Sequence, residues 1–170
     1  MPCLKILFIG LAYLCSFAFG LKCPQGFEEY NMACYLVVET KVDFFSAYRD
    51  CRAMKSYLLN VDATPELNFV KGLVERLGGR NYPGFWIGGF WSRTLQAWFW
   101  EKTDAEGRNT VTKLTPDNTD VSWWGYGEHS NVVNKRDDPE HWLMLKRRDL
   151  KLYSMNAYEK LGYICETVAE

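Results

Sequence analysis

Between Gly26 and Val38 apolar and polar residues alternate about Asn31, and the segment ends in Tyr35-Leu36-Val37-Val38. A two-residue period around a turn residue predicts an N-terminal hairpin that finishes in a strand. Phe44, Ala47, Tyr48, Cys51 and Met54 then recur at steps of three and four, the spacing of one helix face, with Asp43 placed to cap it. Cys51 therefore points inward. A second helix start is written in Thr64-Pro65-Glu66, which supplies a hydroxyl cap, a proline in the first turn and an acid near the positive helix end. Leu67, Val70, Leu73, Val74 and Leu77 give that helix an apolar face, and Gly78-Gly79 stops it.

Beyond Gly79 the helical period disappears. Phe85-Trp86-Ile87-Gly88-Gly89-Phe90 and Trp98-Phe99-Trp100-Glu101 predict short aromatic strands separated by polar turns. From Lys102 to Glu140 the chain is rich in Asp, Asn, Thr, Gly and Ser, with Pro116 and Pro139 and isolated Trp123 and Trp124. So long an irregular stretch inside a compact domain is commonly functional. Two closing strands follow, Trp142 to Lys146 and Gly162 to Glu166. No internal repeat or low-complexity segment is visible.

The first twenty residues follow another pattern: Lys5, an uncharged apolar run from Ile6 to Phe19, and small residues at Ala18 and Gly20. This is the form of a secretory signal peptide cleaved after Gly20, leaving residues 21–170 as one domain. The run is too short for a membrane anchor, which needs about 20 apolar residues, and no second run of that length follows. At 170 residues, with 48% hydrophobic and 24% charged residues, the chain has an ordinary globular composition. A formal net charge of −1 argues against nucleic acid as a partner.

Signal cleavage would remove Cys3 and Cys15 and leave Cys23, Cys34, Cys51 and Cys165, an even number in an oxidising compartment. Two disulfides are expected. Four cysteines allow three pairings, which spacing does not separate, although Cys23 and Cys34 bracket a segment with the turn residues Pro24, Gly26 and Asn31. A zinc site lacks paired C-x-x-C spacing.

In this order the features resemble the C-type lectin-like domain family. The matching elements are Cys23 and Cys34 as the optional N-terminal bridge of the long form, Cys51 in the first helix, Trp86-Ile87-Gly88-Gly89 as the core strand, and Tyr163-Ile164-Cys165-Glu166 as the terminal strand. The segment Leu143 to Leu150 is also similar to secreted invertebrate lectins of the perlucin type. The resemblance implies an α+β fold of two helices with antiparallel sheets and a long ligand loop. It also implies the pairs Cys23 with Cys34 and Cys51 with Cys165.

Two departures from the family pattern bear on function. A second bridge normally pins the long loop, but here Glu140-His141-Trp142 stands in place of Glu-x-Cys, and the partner position falls at or near Ala157 or Tyr158. The loop is expected to be less constrained, with Trp142 filling part of the space. The family's sugar-binding calcium site is also eroded: Glu128-His129-Ser130 replaces a Glu-Pro-Asn-like tripeptide, and Tyr153-Ser154-Met155 replaces a Trp-Asn-Asp triplet. Glu128 and Glu140 are the carboxylates left for a metal, and Ser130 or Asn131 can add a neutral oxygen. Ca²⁺ takes six to eight oxygens and its affinity falls with ligand charge, so weak calcium binding or none is expected; Glu128 and Glu140 are otherwise two solvated loop carboxylates.

Trp91, Trp123, Trp124, Tyr126 and Tyr153 lie in or beside the loop, where an exposed ring can stack on a sugar face or a protein partner. Trp124 and Tyr126 are the candidate ligand rings, with core packing as the alternative; Trp86, Trp98 and Trp100 are expected inside. Lys146-Arg147-Arg148, with Asp149 beside it, is expected on a solvated turn and can meet an anionic glycan. With two histidines and no motif joining a nucleophile to a base, no enzyme is expected. The expected protein is a secreted, extracellular module that binds a glycan or, alternatively, a protein or mineral surface without recognising sugar.

Overall fold

The computed structural model describes residues 22–77, 83–103, 108–114, 120–125 and 140–170. The segment expected to be a signal peptide, residues 1–20, lies outside them. No helix among the described residues is long and apolar enough to cross a membrane.

The hairpin forms as the alternation requires, with β1 (Glu28–Tyr30) and β2 (Ala33–Val42) paired antiparallel about a turn at Asn31 and Met32, both at positive φ. Helix α1 (Phe44–Ala53) follows at once. Asp43 is its N-cap, and its carboxylate accepts the Ser46 N–H at 2.9 Å. The Lys160 ammonium, 2.8 Å away, and that capping bond hold the Asp43 carboxyl well below the usual carboxylate range. A two-residue strand β3 (Tyr57–Leu58) leads into α2 (Thr64–Leu77), which begins at the threonine-proline pair.

Strands β4 (Gly84–Ser92), β5 (Ala97–Thr103), β6 (Asn109–Lys113), β7 (Glu140–Lys146), β8 (Leu152–Asn156) and β9 (Leu161–Val168) complete the sheet. Its order is β1-β2-β9-β4-β5-β6, with β3 beside β9, β7 beside β4 and β8 beside β7. The pairings are antiparallel except β4 with β9, where Phe85 and Trp86 run parallel to Gly162 and Tyr163. Parallel neighbours need a long connection between them, which the intervening strands and loop provide.

Two expectations need correction. The segment from Lys102 to Glu140 contains a regular strand, β6, pairing Phe99 with Lys113 through Thr103 with Asn109. Every residue of β6 is exposed, so no apolar alternation marks it. The closing strands number three among the described residues, because β8 pairs with β7 between the two that were expected.

The sheet is buried on both faces. Under α2, Leu67, Val70, Leu73 and Val74 pack against Phe85, Ile87, Leu143, Leu145, Leu152 and Ile164. Under α1, Phe44, Ala47 and Cys51 pack against Trp86, Met144, Tyr163 and Cys165. Strand β4 thus sends alternate residues into two cores, which explains its unbroken apolar run. Gly88 is needed there because a Cβ would sit 2.3 Å from Asn60 Oδ1 and 2.6 Å from the Leu58 carbonyl oxygen. Disulfides join Cys23 to Cys34 and Cys51 to Cys165, each with Cα atoms 5.5 Å apart. The second ties α1 to β9.

Candidate ligand-binding site

The long loop leaves the sheet after a short pinned segment. A 3-10 turn (Val121–Trp123) is followed by Trp124, which bridges to Leu152, and the Gly125 N–H donates to the Leu152 carbonyl at 2.9 Å. Both tryptophans turn inward. Trp123 is 4% exposed and its Nε1–H donates to Thr64 Oγ1 at 3.0 Å; Trp124 is 3% exposed, with its ring 5.7 Å from that of Trp98. Trp124 is therefore corrected from candidate ligand ring to core residue, because a ring enclosed on both faces has none to offer a sugar. Trp86, Trp98 and Trp100 are buried as expected. Trp91 is half-buried against Trp98.

Tyr126, Glu128, Ser130 and Asn131 lie outside the described residues. Glu140 opens β7, with its backbone opposite Asn156. On β8, Tyr153, Ser154 and Met155, which the resemblance sets against the family's Trp-Asn-Asp triplet, lie across from Met144, Leu143 and Trp142 of β7. This strand does not fit a Ca²⁺ site. The Tyr153 hydroxyl donates to Asp149 Oδ2 at 2.7 Å, Ser154 offers a neutral hydroxyl, and Met155 packs in the α1 core. None of these three residues carries an amide or a carboxylate, the hard oxygen donors that Ca²⁺ favours; the amide of the strand, Asn156, accepts the Tyr158 N–H at 3.0 Å. Among the described residues no group of three His, Cys, Asp or Glu is placed to hold a metal ion.

At the place of the absent bridge, aromatic packing takes over. Trp142 stacks on Phe44, meets Phe45 edge-on at 5.4 Å, and lies in one cluster with buried Ala157. The Phe44 N–H donates to the Ala157 carbonyl at 2.9 Å, which holds the end of β8 against the start of α1. Phe45 and Tyr158 remain exposed beside this contact.

A buried polar cluster lies between α2, β3, β5 and β9. Glu166, 3% exposed, accepts the Tyr57 hydroxyl at 2.8 Å and the Asn60 N–H at 3.0 Å. Glu66 accepts the Tyr35 hydroxyl at 2.7 Å and the Asp62 N–H at 2.6 Å. Lys102 places its ammonium 2.6 Å from Asp62 and 3.9 Å from Glu166. Burial, reinforced by Glu66 and opposed by Lys102, pushes the Glu166 carboxyl up to about 7. Burial pushes the Tyr35 and Tyr57 hydroxyls up as well. Burial works against the Lys102 charge, yet the nearby carboxylates, Glu166 foremost, raise it above the ordinary lysine value. Sequence reasoning missed this cluster. The signal available was an acid directly after Cys165 in an otherwise apolar strand, where a buried carboxylate must find donors.

Known proteins agree with the geometry. The family described as Lectin C-type domain matches residues 40–167, and the chain belongs to that family. Ladderlectin of Oncorhynchus mykiss is 30% identical over 118 residues, which are 69% of this chain and 58% of that protein. Perlucin of Haliotis laevigata is 30% identical over 148 residues, 85% of this chain and 82% of that protein. The chain thus spans little more than half of the first relative and most of the second. Among solved structures, human lithostathine superposes with a TM-score of 0.64 at 24% identity, covering 86% of this chain and 91% of that one. A calcium-independent type II antifreeze protein superposes with a TM-score of 0.63 at 17% identity, covering 90% and 99%. At these identities the two structures show the shared fold alone.

Proposed function

We propose that this chain is a secreted, extracellular carbohydrate-binding module whose binding depends weakly or not at all on calcium. Membership of the C-type lectin family supports the carbohydrate part. The calcium part is supported by β8, where Tyr153, Ser154 and Met155, which the resemblance sets against the family's ligand triplet, carry no carboxylate or amide. The remaining candidate contacts are Glu128, Ser130, Asn131 and Glu140 with the ring of Tyr126, so recognition rests on direct hydrogen bonds and stacking. The paired cysteines and the apolar leader support secretion.

A second reading is a lectin-like domain that binds a protein or mineral surface without sugar. The burial of Trp123 and Trp124 favours it, since it withdraws two rings from the sugar-facing set. A calcium-independent type II antifreeze protein shares the fold. A glycan array run with millimolar calcium and again with chelator separates the readings. Binding that persists in chelator supports the first; binding lost with chelator overturns its calcium part; no glycan bound in either condition leaves the second.

A further inference from the structure

The turn between β7 and β8 gathers the cations Lys146, Arg147, Arg148 and Lys151. It is closed by the Leu150 N–H donating to the Lys146 carbonyl at 2.9 Å and the Lys146 N–H donating to the Lys151 carbonyl at 2.8 Å. Lys146 and Lys151 are therefore cross-strand neighbours, and their side chains leave the face opposite buried Leu145 and Leu152. Arg147 fixes the turn to α2, with its guanidinium donating to the Val74 carbonyl and its N–H to the Pro83 carbonyl at 3.1 Å. Lys146 lies over the Tyr153 ring, 4.2 Å from its centroid. Arg148 is exposed at the tip, and Lys71 of α2 comes within electrostatic reach of Lys151.

The acid facing this group among the described residues is Asp149, and its two oxygens are already taken by the Lys151 N–H at 3.2 Å and the Tyr153 hydroxyl at 2.7 Å. Lys71, Arg148 and Lys151 make no ion pair among the described residues. Burial and then the like charge of Lys151 hold the Lys71 ammonium below its ordinary value, and Asp149 does not offset them. A chain of net charge −1 thus carries a local excess of positive charge on a rigid hairpin braced against a helix.

We propose that the β7–β8 turn binds a sulfated polysaccharide, through Lys146, Arg148 and Lys151. Sulfate groups spaced along a sugar chain match a short row of separated cations. The proposal uses none of Tyr126, Glu128, Ser130, Asn131 or Glu140 and stands or falls apart from neutral-sugar binding.

The test uses the full chain and measures binding to immobilised dextran sulfate, with unsulfated dextran of equal length as the reference. The expected result is binding to the sulfated polymer alone, weakened about tenfold in R148S/K151S, with the slope of log affinity against log salt reduced by about one to two. Arg49→Ser, an exposed cation on α1, is expected to bind as the parent does. If R148S/K151S melts several degrees lower, Arg148→Ser alone is used, since that side chain makes no described contact. Equal binding to unsulfated dextran, no binding at 0.1 M salt, or an unchanged variant overturns the proposal. So does tighter binding to a single-stranded oligonucleotide or to phosphatidylserine vesicles.

Discussion

Trp142 lies face to face with Phe44, their ring centroids 4.1 Å apart and their planes 28° from parallel. One ring belongs to the strand that leaves the long loop and the other to the first turn of α1, so a noncovalent contact joins the elements that a bridge would otherwise approach. Unlike a covalent bond, this contact is maintained only while both rings stay buried. Trp142→Ala should therefore lower stability by about 3 kcal/mol, near the bottom of the range for aromatic truncation because the ring is only half-buried. Urea unfolding measures it, and a loss under 1 kcal/mol would show that the stack does not hold β7.

The two disulfides should differ in worth. The Cys51–Cys165 bridge spans 114 residues and the Cys23–Cys34 bridge 11. Chain entropy assigns about 5 kcal/mol to a loop of the first size and about 3 kcal/mol to one of the second. Denaturation of C23S/C34S and C51A/C165A compares them, and equal losses would contradict the ordering.

Glu166 gives stability a pH dependence of unusual sign for a carboxylate. Its folded value of about 7 lies above the ordinary 4.5, so between those limits the folded chain holds a proton that the unfolded chain has released. The contribution of this group is full below pH 4.5 and is lost as pH rises through 7. In E166Q the fall in unfolding free energy between pH 5 and pH 8 should flatten, as denaturant melts at four pH values will show. An unchanged slope in the variant would assign the dependence elsewhere.

Trp124→Ala should behave as a core mutation. With 3% of its surface exposed, truncation should cost about 3 to 5 kcal/mol and weaken every binding activity through loss of fold. A variant that melts like the parent but loses one ligand would return Trp124 to the ligand surface.

Chelator should leave the melting temperature unchanged within about 1 °C, since stabilisation by a ligand vanishes when its dissociation constant far exceeds its concentration. A calorimetric scan with millimolar calcium or EDTA checks this. A drop of several degrees in EDTA would reveal oxygen donors beyond those on β8.

Both helices were legible in the sequence because a single apolar stripe faces one core, and Asp43 and Thr64-Pro65 mark their starts. Strand β6 was not, since Asn109, Thr110, Val111, Thr112 and Lys113 are all exposed and leave no alternation to detect. Nor was the inward turn of Trp124, which depends on Trp98 and Leu152, residues distant in sequence. The Glu66 and Glu166 cluster escaped because the donors that satisfy it, Tyr35, Tyr57 and Asn60, meet the two acids only when the chain folds. At the loop, Glu128, Ser130, Asn131 and Tyr126 lie outside the described residues, so their expected roles stand as proposals.

Strand β9 sits between β2 and β4, and also carries β3. During synthesis the chain emerges from its N-terminal side, so β2 and β4 are made long before the strand that separates them. Until residues 161–168 have left the ribosome, neither face of the central sheet can close, and Cys51 has no partner. Folding of this domain is thus deferred until its last strand has been made. For the secreted module proposed above, that order keeps the chain threadable through a translocation channel until it reaches the oxidising compartment beyond.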